Sequence, residues 1–169
     1  VQYRLSPEAP YPAAVADLKQ AIAWMRAHAT SYNGNPNQIA VLGCSAGAQL
    51  ATLLGTTHQK PFYTTETDTR NGQFSVQAIV NLDGVLAFIH PLSAEGADKP
   101  GKPSAATRWL GLHHSQNPQP WIEASPLTHA DSLTPPTLFI NSQHPRFHAG
   151  RDEYLQILQS HGTYTHVHT

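Results

Sequence analysis

The five residues Gly43-Cys44-Ser45-Ala46-Gly47 constrain this chain more than any other stretch. They read G-x-S-x-G, with an apolar run from Ile39 to Leu42 before them and a helix-forming run from Ala46 to Leu54 after them. That context predicts a strand, a sharp turn and a helix: a nucleophile elbow, which lifts a serine hydroxyl above the end of a sheet. The turn strains the serine backbone, so the positions two before and two after are expected to be nearly free of side chain, as Gly43 and Gly47 are. The helix beginning after Ser45 would aim its positive end at a developing oxyanion, with the Ala46 N–H as one donor. An ordinary glycine-rich strand-to-helix turn is the alternative, and the flanking runs favour the elbow.

Other apolar patterns extend the same architecture. Val15, Leu18, Ile22 and Met25 repeat at three and four residues and predict a helix over Ala13 to Ala29 with one apolar face. Runs at Ile39–Cys44, Val76–Leu82, Thr137–Asn141 and Thr163–His168 read as strands, and Val1–Leu5 as the end of one. Helices are expected at Ala46–Gly55, around Ala105–Leu110 and Pro118–Ala124, and at Ala149–Ser160 with Tyr154, Leu155 and Leu158 buried. Residues 56–73 read as a polar loop. Strands alternating with helices imply an α/β fold with a mostly parallel sheet and flanking helices, and sites at the carboxyl ends of the strands. Ser45, Asp83 and the loop from Asn141 to His148 all follow strands on that rim. Residues 85–135, irregular and rich in Pro and His, read as a cap or lid inserted over it, within one domain spanning 1–169.

Composition excludes several function classes. Charged residues make up only 12% and the formal net charge is −1, so there is no electrostatic case for nucleic acid or an acidic membrane surface. Cys44 is the only cysteine, so no internal disulfide can form. No apolar run reaches membrane-spanning length and no signal peptide is visible, which leaves the compartment open. The chain opens at Val1 inside a strand-like run, as expected of a processed or incomplete product. No phosphate loop, dinucleotide fingerprint or calcium loop is present, and no cofactor is expected. His144 and His148, with His166 and His168, could in principle meet as a zinc site, but Pro145 disfavours a regular helix there and no metal is expected.

Beyond the elbow, Tyr3-Arg4-Leu5-Ser6-Pro7-Glu8, Tyr11-Pro12-Ala13-Ala14, Asp17, Trp24 and Asn35-Pro36-Asn37-Gln38-Ile39-Ala40-Val41 precede it, and Ala124-Ser125-Pro126-Leu127 with Pro135-Pro136-Thr137-Leu138-Phe139-Ile140 follow. In these segments the chain resembles the α/β-hydrolase superfamily, in its hormone-sensitive-lipase-like and bacterial carboxylesterase branch. The resemblance implies hydrolysis of carboxylic esters, with acetyl or short acyl groups on small alcohols or plant polysaccharides. It also implies departures. The His-Gly-Gly oxyanion loop and the early strands would precede Val1, the triad histidine would follow the last strand beyond Thr169, and His144-Pro145 stands where an Asp before Pro is usual.

A serine needs a base within hydrogen-bond reach and an acid to orient that base. Ser45 is the candidate nucleophile and Ala46 the oxyanion donor. Asp83 is the candidate acid, against a turn-forming role in Asp83-Gly84. Asp152 reads as a first-turn helix residue. His148 is the candidate base, with His144, His166 and His168 as alternatives. Arg4 could pair with Glu8 or Asp17. The expected partner is a small-molecule ester. Without the early strands, the elbow strand would present an open edge through which two copies could pair.

Overall fold

Among the described residues four short strands lie side by side, each satisfying its neighbour's backbone N–H and C=O groups. The structure is a computed structural model and describes residues 1–63 and 71–169. The strands are β1 (Ala40–Cys44), β2 (Ala78–Leu82), β3 (Thr137–Ile140) and β4 (Thr165–His168), all parallel and ordered β1-β2-β3-β4. Among the described residues the α-helices are α1 (Ala13–His28), α2 (Ala46–Thr56), α3 (Ala105–Leu110), α4 (Gln119–Glu123) and α5 (Arg151–Ser160). The expected α/β architecture therefore stands, with boundaries within two residues of the sequence reading for most elements.

Three apolar clusters hold the layers together. Val15 and Ile22 of α1 pack with Leu50, Leu53 and Leu54 of α2. Val85, Phe88, Leu110 and Trp121 form a second cluster within the segment after β2. Leu86 and Phe139 meet Tyr154 and Leu158 of α5 in a third. Buried polar groups are tied down within this frame. Lys19, 1% exposed, donates from Nζ to the Phe62 carbonyl at 2.6 Å and the Thr57 carbonyl at 3.4 Å, between the rings of Phe62 and Phe74. The polar loop read over 56–73 lies partly outside the described residues. Its first part is not solvated: Thr57 and His58 are buried.

Two expectations at the sheet edge are corrected. Val1–Leu5 is not a strand. The Arg4 N–H donates to Asp17 Oδ2 at 3.0 Å and the guanidinium grips the same carboxylate at 2.7 Å, so Arg4 pairs with Asp17 of α1 rather than with a strand. Met25 is 51% exposed although its spacing put it on the buried face of α1. Both follow from β1 being an edge: among the described residues it pairs only with β2. An apolar groove lined by Leu18, Met25, Val41 and Leu42 runs along its open side.

Candidate active site

Ser45 joins β1 to α2 and belongs to both. Its N–H donates to the Leu82 carbonyl at 2.8 Å, the last rung of the β1–β2 ladder, and its carbonyl accepts from the Ala48 and Gln49 N–H groups at 3.0 and 3.1 Å. Meeting both demands forces φ 54, ψ −121, a left-handed conformation that a serine rarely adopts. Gly43 makes the turn possible: a Cβ there would lie 2.0 Å from the Gly47 carbonyl oxygen. The expected symmetry between the two glycines fails, because a Cβ on Gly47 would meet nothing within 4 Å. What the turn requires is the close passage of the Gly47 backbone over Gly43.

The turn opens onto a cleft of about 460 Å³ lined by Ser45, Ala46, Gln49, Asp83, Phe88 and Trp109 among others. Ala46 is the first residue of α2, so its N–H has no acceptor within the helix and stays available to a ligand. The segment after β2 supplies Val85, Phe88, Ala106 and Trp109 to one wall, and Arg146 and Phe147 come from the loop after β3.

Asp83 ends β2 as Ser45 ends β1. Its N–H donates to the Ile140 carbonyl at 3.2 Å, its φ is 56, and its Oδ1 accepts from the Ser142 N–H at 2.7 Å. Its carboxylate thus bridges two loops on the rim of the cleft that holds Ser45. His148 lies in the 3-10 turn Pro145–His148, outside the cleft lining. Its Nε2–H donates to the Ser142 carbonyl at 3.0 Å, which leaves Nδ1 as the basic atom of the ring. Ser45 Oγ makes no hydrogen bond to any described residue. His166 and His168 lie on β4, and Asp152 sits in the first turn of α5 with Oδ1 accepting from Arg151 Nε at 3.1 Å. Among the described residues no three His, Cys, Asp or Glu side chains gather as a metal ligand set.

Two residues of this region were not singled out from sequence. Asn81, wholly buried, donates to Thr52 Oγ1 at 2.8 Å and accepts from the Gly84 N–H at 2.8 Å, so it locks α2 to the Asp83-Gly84 turn. A Cβ on Gly84 would lie 2.5 Å from the Gln49 nitrogen, which fixes that residue as glycine. The signal for Asn81 was present: an amide in the middle of the apolar run 76–82. Gln49 likewise interrupts the apolar pattern of α2.

A model of the BD-FAE family matches residues 1–165. The chain belongs to the BD-FAE family. This is a hormone-sensitive-lipase-like family of α/β-hydrolases, as the elbow and its flanking motifs implied. The BD-FAE chain is 30% identical to the probable carboxylic ester hydrolase LipM of Mycobacterium tuberculosis over 96% of its own length and 35% of LipM. It therefore spans about a third of that relative. The esterase LipW of Mycobacterium marinum superposes with a TM-score of 0.68 at 28% identity, over 99% of this chain and 51% of LipW. A truncated form of a carbohydrate esterase from gut microbiota shares the fold at a TM-score of 0.77 and 22% identity, over 99% of this chain and 63% of that one.

Proposed function

We propose that Ser45 is the nucleophile of a carboxylic ester hydrolase that works through an acyl-enzyme. The observation that carries this reading is the strained Ser45 backbone on an open cleft, followed directly by the free N–H of Ala46 at the start of α2. Ser45 Oγ attacks the ester carbonyl carbon and gives its proton to a base. The negative charge on the carbonyl oxygen is met by the Ala46 N–H and the positive end of α2, with at least one more donor required. Collapse expels the alcohol, which takes the proton back from the base, and water then releases the acid by the same route. Asp83 serves as the orienting acid: Oδ1 is held by the Ser142 N–H, and the other oxygen remains for an imidazole. His148 is the candidate base: its Nε2–H exchanges the Ser142 carbonyl for the free Asp83 oxygen, and Nδ1 takes the Ser45 proton. The small, largely apolar cleft suits acetyl and short acyl esters of small alcohols or polysaccharide units. The names of LipM and LipW agree with ester chemistry.

One observation favours a second reading, a catalytically silent domain: no described histidine is hydrogen-bonded to Ser45 Oγ. A fluorophosphonate label read by mass spectrometry separates the two. The hydrolase reading expects a label on Ser45 that vanishes in Ser45→Ala and slows at least about 100-fold when the base is removed. A folded protein that takes no label supports the silent domain.

A further inference from the structure

Gln49 lies one turn beyond Ser45 in α2, lines the same cleft and is 3% exposed. Burying a primary amide is costly unless its polar atoms are satisfied. Its Nε2–H donates to the Ala124 carbonyl at 2.6 Å. A carbonyl accepts only from a donor, so this bond decides which end of the amide is nitrogen. Oε1 therefore points away from Ala124. It receives no hydrogen bond from any described residue and is not among the sealed, unsatisfied atoms, and the residue lines the cleft. Its surroundings are apolar: Leu50, Val85, Phe88 and Trp109 line the same space. Trp109 is itself braced edge-on by Tyr11, with ring centroids 5.1 Å apart.

A fixed acceptor among apolar walls, beside a nucleophile, selects for a donor on the ligand. An unpaired acceptor there penalises a ligand that lacks one. A short acyl chain carries no donor. The alcohol half of a partly acylated polyol does, close to the ester oxygen, and its C–H face suits the flat aromatic wall. We infer that Gln49 Oε1 accepts a hydrogen bond from a hydroxyl on the alcohol half of the ester, and that this residue sets a preference for polyol esters over simple alkyl esters. The inference rests on Ser45 being the nucleophile.

The test is the rate at which Ser45 is phosphonylated by two matched p-nitrophenyl phosphonates, one with a 2,3-dihydroxypropyl ester group and one with a propyl group. Wild type should react about fivefold faster with the hydroxylated probe, the worth of one neutral hydrogen bond. Gln49→Met, which removes the acceptor, should bring the ratio close to one. A wild-type ratio near one overturns the inference, even if Gln49→Met fails to fold. So does an unchanged ratio in a folded Gln49→Met. If neither probe labels Ser45, the nucleophile reading itself falls and takes this inference with it.

Discussion

Replacing Gly43 by alanine tests the geometry of the elbow directly. The new Cβ would stand 2.0 Å from the Gly47 oxygen and 2.6 Å from the Ala48 nitrogen, both backbone atoms that no rotamer change can move. Restoring ordinary contact requires β1 and the first turn of α2 to separate by about 1.4 Å. Ser45 sits at that junction, so its hydroxyl and the Ala46 N–H are displaced together. Overpacking of this kind costs about 3 kcal/mol of stability. A 1 Å misplacement of reacting groups can cost about 100-fold in rate. Gly47→Ala is the control, because its Cβ meets nothing within 4 Å and alanine suits a helix better than glycine by up to about 1 kcal/mol. Urea unfolding and the rate of fluorophosphonate labelling measure both quantities. The reasoning is refuted if Gly43→Ala labels Ser45 at the wild-type rate, or if Gly47→Ala destabilises as much as Gly43→Ala.

Other groups give predictions of different kinds. Burial pushes the Lys19 pKa down to about 8, against 10.5 for a solvated lysine, so between these values the unfolded chain binds more protons and stability climbs with pH. Urea melts at pH 7.5 and 9.5, below tyrosine ionisation, should differ by about 2 kcal/mol in favour of the higher pH, and Lys19→Met should flatten the difference. His58 is held neutral by burial, its Nδ1 accepting from the Val76 N–H at 3.1 Å and its Nε2–H donating to the Leu133 carbonyl at 3.0 Å. Its folded pKa lies below 6.5, so the unfolded chain takes up the proton first and stability should fall as pH drops from 7 to 5. A thermal melt that stays flat over that range in wild type would contradict this. At the sheet edge, Leu42 is 69% exposed on β1, whose outer side pairs with no described strand and which carries no charge and no proline. We propose that copies pair there, and Leu42→Lys should shift light scattering from dimer or larger species to monomer. A wild-type monomer at high concentration would refute it.

Much of this architecture was legible because it depends on period. The apolar spacing of α1, the runs of β1 to β3 and the Tyr154–Leu158 face of α5 each announce an element and its buried side. The Ser45 turn was legible because a strand, two glycines and a helix leave few alternatives. What escaped the sequence depends on neighbours. Met25 has the right spacing for a core residue, but nothing described covers it beyond β1. Val1–Leu5 has a strand-like context but forms no strand, although the Arg4–Asp17 pair that holds it was one of the two pairings the sequence offered. Gln49 and Asn81 read as interruptions of apolar runs, and only their distances to Ala124, Thr52 and Gly84 reveal what each satisfies. Gly47 matched the motif as well as Gly43 did, and only the space around its missing Cβ separates them.

Ser45 is the last rung of a ladder and the first turn of a helix at once, with its N–H and carbonyl both committed. The nucleophile therefore has no backbone freedom left with which to adapt to a new substrate. The cleft walls lie elsewhere: Val85, Phe88 and Trp109 from the segment after β2, and Arg146 and Phe147 from the loop after β3, stand outside the ladder. Divergence of substrate choice in such a chain falls to those segments and to cleft side chains such as Gln49, while the serine and the strand beneath it must be inherited as one unit.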